Sequence, residues 1–165
     1  MATEIQVGES VTEIQSSAPP EGDPISTFFT EIAIIEQLAR TRLERVLPDG
    51  MKEPQFGVLN HMVRLDKKGE SPAELASAFQ VTRPTMTNTI QRLEAKGYVS
   101  VEPDPNDGRG KQVRITEAGR AAREKAIVEI TPLFAKLVAD LGFELFANTK
   151  PALVKIRTYM DENRD

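Results

Sequence analysis

A chain of 165 residues with 39% apolar side chains suits one domain, or a small domain with added elements whose stability oligomerisation would support. It contains no cysteine, which excludes disulfides, thiolate zinc sites and cysteine-based redox sensing, and fits a reducing cytoplasm. The net charge of −4 hides a partition: residues 1–53 hold 4 basic and 10 acidic side chains, residues 64–125 hold 12 and 9, and residues 126–165 hold 5 and 6. The one net-positive segment is the middle of the chain, the distribution that contact with phosphate requires. No apolar run reaches the ~20 residues of a membrane span. The first ten residues lack the basic start and apolar core of a signal peptide. A cytoplasmic protein without a membrane partner is therefore expected.

Residues 1–22 are polar and acidic and end in Ser-Ala-Pro-Pro-Glu-Gly, the composition of a disordered tail. Ile5, Val7, Val11 and Ile14 offer the alternative of an arm packed on a partner subunit. Asp23 and Pro24 supply an N-cap and a first-turn proline for a long helix to about Leu47, stopped by Pro48-Asp49-Gly50. Ile25, Phe28, Phe29, Ile32, Ile35 and Leu38 begin a wide apolar stripe along it. At ~1.5 Å per residue the helix is about 34 Å long, more than a compact lobe covers. Residues 23–53 therefore read as an N-terminal dimerisation helix. Pro54 opens a second helix from Gln55 to about Lys67, with Phe56, Leu59 and Val63 on one side and Asn60, His61 and Arg64 on the other.

Residues 71–116 carry the strongest local signals. Ser71 with Glu74 three residues on is a capping box, and Leu75, Ala76 and Phe79 give a short helix its apolar face. Gln80-Val81 make a tight connection to a second N-cap, Thr82, with Pro84 just inside the next helix. Met86, Thr89, Ile90 and Leu93 recur at helical spacing, and Gly97 supplies a left-handed stop. Tyr98 to Val101 and Val113 to Ile115 alternate apolar with polar around the tip 105–110, where Asp-Gly is a strong hairpin signal. Two short helices, a tight turn and a basic-tipped hairpin form a winged helix-turn-helix over 54–116.

On that second helix the outward positions are Pro84, Thr87, Asn88 and Arg92, with Arg83 and Thr85 at its start. Thr82, Arg83, Pro84, Thr85, Thr87 and Asn88 are the candidates to enter a major groove, where guanidinium suits guanine, a carboxamide suits adenine and a threonine methyl suits thymine. Arg92 is placed for a phosphate. At the wing tip, glycines flank Arg109 and Asp107 can brace it, so its guanidinium can enter a narrow A·T-rich minor groove. Lys111 and Arg114 would add phosphate contacts.

Thr116 caps a helix from Glu117, which Pro132 should bend. A last segment covers about Phe143 to Met160, with Pro151 leaving its start at either Phe143 or Thr149. Leu145, Phe146, Leu153, Ile156, Tyr159 and Met160 are more apolar surface than one small domain needs, so residues 117–165 read as C-terminal dimerisation helices. The fold class is mainly α (α+β), with a two-stranded wing.

At Gln55-Phe56-Gly57-Val58-Leu59, Glu74-Leu75-Ala76 and Val81-Thr82-Arg83-Pro84-Thr85-Met86-Thr87 the chain resembles the MarR family of bacterial transcriptional regulators. The resemblance continues through Arg92-Leu93-Glu94-Ala95-Lys96-Gly97-Tyr98-Val99, Asp107-Gly108-Arg109-Gly110-Lys111 and Ile115-Thr116-Glu117-Ala118-Gly119. It covers 54–125 in detail and the flanking helices by layout, and leaves the tail 1–22 outside. It implies a winged-helix homodimer joined by its terminal helices, with a ligand crevice between that interface and the DNA-binding lobes. It also implies that Arg109 is the wing arginine and Asp107 its support. The expected function is a ligand-responsive dimeric repressor on a pseudo-palindromic operator, needing no cofactor, with an aromatic acid as effector by analogy.

An enzyme is not expected. His61 is the only histidine, no serine sits in a nucleophile elbow, and Gly108-Arg109-Gly110-Lys111 is no phosphate loop because Pro105 replaces its first glycine. One histidine without cysteine makes no metal site. His61 beside Arg64 is a candidate lining for an anionic-ligand pocket, against the plainer reading of a helix-surface histidine. The rival function is a winged helix that binds protein, as an adaptor or antirepressor, which the acidic tail favours.

Overall fold

The computed structural model describes residues 23–105 and 107–163, with backbone alone at 107–109. The tail 1–22 lies outside the described residues. A first compact unit ends at Leu38 and a second runs from Ala39 to Asp165. Helix α1, Pro24–Val46, spans that division and is capped by Asp23, whose Oδ2 accepts from the Ser26 N–H at 3.1 Å. Its first-unit residues Ile25, Phe28, Phe29, Ile34, Ile35 and Leu38 are exposed.

A 3-10 turn at Pro48–Gly50 follows, with Asp49 at φ 57°. Helix α2 is Glu53–Arg64. The Gln55 side chain reaches back to the Lys52 N–H at 2.9 Å, and Glu44 accepts from the Glu53 N–H at 3.2 Å, so both first-turn donors are satisfied. Lys52 holds the Glu44 carboxyl below its ordinary value through a hydrogen bond. The helix ends three residues before the expected Lys67. Asp66 turns left-handed (φ 48°), and the Lys67 and Asp66 N–H groups close on the Met62 and Val63 carbonyls. That pairing is the Schellman arrangement, formed without glycine.

Helix α3, Pro72–Ala78, begins at the capping box, with the Ser71 N–H donating to Glu74 at 2.7 Å and the Glu74 N–H to Ser71 Oγ at 3.2 Å. It ends the same way as α2, at Gln80 (φ 57°), with the Val81 N–H on the Ala76 carbonyl. Helix α4, Arg83–Ala95, closes at Gly97 (φ 70°), with the Tyr98 N–H on the Leu93 carbonyl.

Strands β1 (Val99–Asp104) and β2 (Asp107–Ile115) pair antiparallel with Val99 opposite Ile115 and Val101 opposite Val113. Both are longer than the alternating segments expected, so Asp107 and Arg109, assigned from sequence to the tip, have strand backbone. Asn106 lies outside the described residues. Glu70 bridges to Val113 from the other side and gives the wing a partial third strand.

Helix α5, Glu117–Leu141, is capped by Thr116, whose hydroxyl accepts from the Gly119 N–H at 3.0 Å and donates to the Gly97 carbonyl at 2.7 Å. A β-carbon at Gly119 would collide with the Tyr98 carbonyl, so only glycine lets α5 start against the wing base. Helix α6 runs Phe143–Glu162 after Gly142 (φ 80°), continuous through Pro151. It therefore starts at Phe143, the first of the two expected positions.

The core joins α2, α3, α4, the wing and the first half of α5 around Leu59, Met62, Leu75, Leu93, Val113 and Ile130. The buried face of α2 is Gln55, Val58, Leu59 and Met62, with Phe56 and Val63 only half-buried, a rotation from the expected Phe56–Leu59–Val63 side. Beyond Ile130 no described residue of α5 or α6 is buried.

Candidate nucleic-acid interface

Thr82 starts α4. Its hydroxyl accepts from the Thr85 N–H at 3.3 Å and meets the Thr85 hydroxyl at 2.8 Å, so both side chains are fixed at the helix entrance. Met86, Thr89, Ile90 and Leu93 turn into the core. Arg83, Pro84, Thr85, Thr87, Asn88 and Arg92 are all exposed, as helical spacing demands once the opposite stripe is buried. The only carboxylate in α4 is Glu94 in its last turn. Positive charge and hydrogen-bonding groups thus face solvent together.

Arg92 Nε donates to Asn88 Oδ1 at 2.9 Å. One turn of helix separates the two, so each holds the other's rotamer. Beside them is an open cleft of about 230 Å³, lined by Lys52, Pro54 and Gln55 at the entrance to α2 and by Thr85, Asn88 and Arg92.

The far end of α4 is pinned by a residue the sequence did not single out for this. The Asp49 carbonyl accepts from Lys96 Nζ at 2.7 Å, and its carboxylate lies 3.5 Å from the Tyr98 hydroxyl and 3.5 Å from Lys125 Nζ. Burial, and then the Asp49 carboxylate, push the Tyr98 phenol above its ordinary value. The 3-10 turn thereby ties together the end of α4, the start of the wing and α5.

In the wing, Lys111 is exposed. The side chains of Asp107 and Arg109 lie outside the described residues. Arg114, expected to add a phosphate contact, already has partners in and beside the wing. Its Nη1 donates to the Lys68 carbonyl at 3.0 Å, its Nη2 to Gln112 Oε1 at 2.8 Å, and its Nε lies 3.3 Å from Glu102. It braces the wing against the loop before α3, and a phosphate contact would have to displace these partners.

Arg64 is exposed, whereas His61 Nε2 lies against Glu70, 3.2 Å from Oε1 and 3.0 Å from Oε2, with the Phe79 ring edge-on at 5.3 Å. Glu70, buried although charged, gave no sign of burial in the sequence, because a lone carboxylate after Lys-Lys-Gly reads as loop surface.

The sequence profile of the MarR family matches residues 49–110. The transcriptional activatory protein BadR of Rhodopseudomonas palustris is 30% identical over 131 residues, covering 78% of this chain and 75% of that protein. A crystal structure of a mutant MarR from E. coli complexed with operator DNA is 28% identical, covers 80% of this chain and 94% of that one, and superposes with a TM-score of 0.73. The PcaV transcriptional regulator from Streptomyces coelicolor, solved with its natural ligand, shares the fold at 22% identity and a TM-score of 0.70, covering 81% and 94%. The exposed face of α4, the wing beside it and these likenesses agree: the chain belongs to the MarR family of transcriptional regulators, which are DNA-binding proteins and not enzymes.

Proposed function

We propose that this cytoplasmic regulator binds a pseudo-palindromic operator as a homodimer, with α4 in the major groove and the wing in the adjacent minor groove. The observation that carries the reading is the exposed face of α4, where Arg83, Thr85, Thr87, Asn88 and Arg92 stand with no carboxylate before the last turn. Arg83 and Asn88 contact base edges, Arg92 and Lys111 contact phosphates, and Arg109, supported by Asp107, enters the minor groove. Dimerisation uses 23–53 and 117–165, whose exposed Phe134, Leu145, Phe146 and Leu153 find no cover within the second unit. The two copies of α4 then sit about 34–36 Å apart, one duplex turn.

The target is repressed until an effector binds a conformer with misplaced recognition helices. The cleft beside Arg92 suits a small anionic ligand such as an aromatic acid, because Arg92 spends only Nε on Asn88. Titration of a duplex from the chain's own upstream region, repeated from low to high salt, tests the whole. The logarithm of affinity should fall linearly with the logarithm of salt concentration. No binding at low salt would refute the DNA reading in favour of a protein-binding adaptor. A reporter behind the same region decides the sign of control, since BadR is named as an activatory protein.

A further inference from the structure

We infer, on the reading that α4 enters a major groove, that Arg92 sets which base Asn88 reads and turns its carboxamide from adenine to guanine. Arg92 Nε donates to Asn88 Oδ1 at 2.9 Å. A guanidinium carries donors only, so the carboxamide oxygen must be the atom that faces it, and Nδ2 the one that faces away. Both residues are exposed on the side of α4 opposite Met86, Ile90 and Leu93.

The surroundings leave Arg92 this acceptor and little else within reach. On its own face of the helix stand Ala95, Lys96 and Thr89, and the Thr89 hydroxyl donates to the Thr85 carbonyl at 3.2 Å. Glu94, two positions on, lies on another side of α4. Across the cleft, the Lys52 N–H takes Gln55 Oε1, and Lys52 Nζ takes the Glu44 carboxylate. The Asn88 oxygen is therefore held by Arg92, whereas Nδ2 meets no acceptor among the described residues.

That division decides the match to a base edge. Adenine offers N7 as acceptor and N6–H as donor, so a bidentate contact needs Oδ1 and Nδ2 side by side on the base. With the guanidinium on Oδ1, the adenine amino group would bring a second donor to that oxygen and its positive edge towards a full positive charge. Cytosine shows an amino group in the same way. Guanine shows two acceptors, N7 and O6, to the hydrogens of Nδ2 and to the field of the guanidinium beside them. Thymine offers O4 alone. The pair thus presents donors only, and guanine is the edge that suits it. Arg92 keeps both Nη groups for a phosphate.

The test is selection by the full-length protein from duplexes built on its upstream region and randomised over each half-site. The position read by Asn88 is the one at which N88A loses preference. There the wild type should favour a G·C pair over an A·T pair by about five- to a hundredfold. Arg92→Met, on the solvent side of α4, should weaken binding to every duplex through the lost phosphate contact. At that one position it should also turn the preference to A·T, with the purine on the same strand. In the free protein, the Arg92 Nε–H resonance should move in N88A. An unmoved resonance, a wild-type preference for A·T at that position, or a G·C preference that survives in R92M would each overturn the assignment and leave the DNA-binding reading standing. Absence of binding to every duplex at low salt would sink both.

Discussion

Helices α4 and α6 show what a buried face does and what its lack implies. In α4, 13 residues bury Met86, Thr89, Ile90 and Leu93 and expose a polar, basic side. In α6, 20 residues bury none, although Phe146, Leu153 and Val154 are as apolar as anything in the core. The physical cost of wet apolar surface is the same in both places, so α4 is finished within its lobe and α6 is not. The lobe is closed packing with an open polar face, whereas α6 leaves its apolar side chains exposed.

The largest expected effect breaks the lobe. Leu93→Ala removes a fully buried side chain and should cost about 2–5 kcal/mol in denaturant unfolding. Thr87→Ala, on the solvent side of the same helix, should stay within about 0.5 kcal/mol. Equal losses would dissolve the distinction between the two faces.

Next comes the unfinished region. The double variant Leu145→Glu, Phe146→Glu should sediment as a monomer and lower operator affinity by a factor on the order of 10², the avidity of two joined half-sites. Unchanged mass would show that α6 is not the partner surface.

Smaller effects sharpen the reading face. Asn88→Ala should relax sequence preference by roughly 1–3 kcal/mol at one base position and free Arg92 from its partner. A uniform loss on all sequences would make Asn88 a backbone contact. Arg109→Ala should reduce the salt slope by about one unit, read from the same titrations.

The smallest effect concerns a cap. The Ser71 backbone N–H, and then its hydroxyl, hold the Glu74 carboxyl below the ordinary 4.5. A lowered carboxyl contributes above its unfolded value and loses that contribution as pH falls. Ser71→Ala should therefore cost about 1 kcal/mol at neutral pH and less in acid, where Glu74 takes up a proton. Urea midpoints at the two pH values check it.

Much of the lobe was legible because its signals are local. Ser71, Thr82, Thr116 and Gly97 mark helix ends through bonds to groups two or three residues away, and those bonds form in the structure. The left-handed stops at Asp66 and Gln80 were not legible, since any non-glycine residue adopts that conformation only occasionally, Asp more often than Gln. Packing of the following segment imposes them.

The charged and polar residues divide in the same way. Exposure of Arg83, Thr85, Thr87 and Asn88 followed from helical period alone. Which of the other polar groups would be occupied did not, because Arg114 meets Lys68 across 46 positions and Asp49 meets Lys125 across 76.

By itself the sequence determined the order of elements, the buried stripe of α4 and the family, all encoded in short-range spacing and residue type. The tertiary structure alone decided that Gln55 and Glu70 are buried, that His61 serves a carboxylate and that Arg114 braces the wing. Those outcomes depend on segments distant in sequence meeting in one place, and pairwise chemistry at long range leaves no period in the chain.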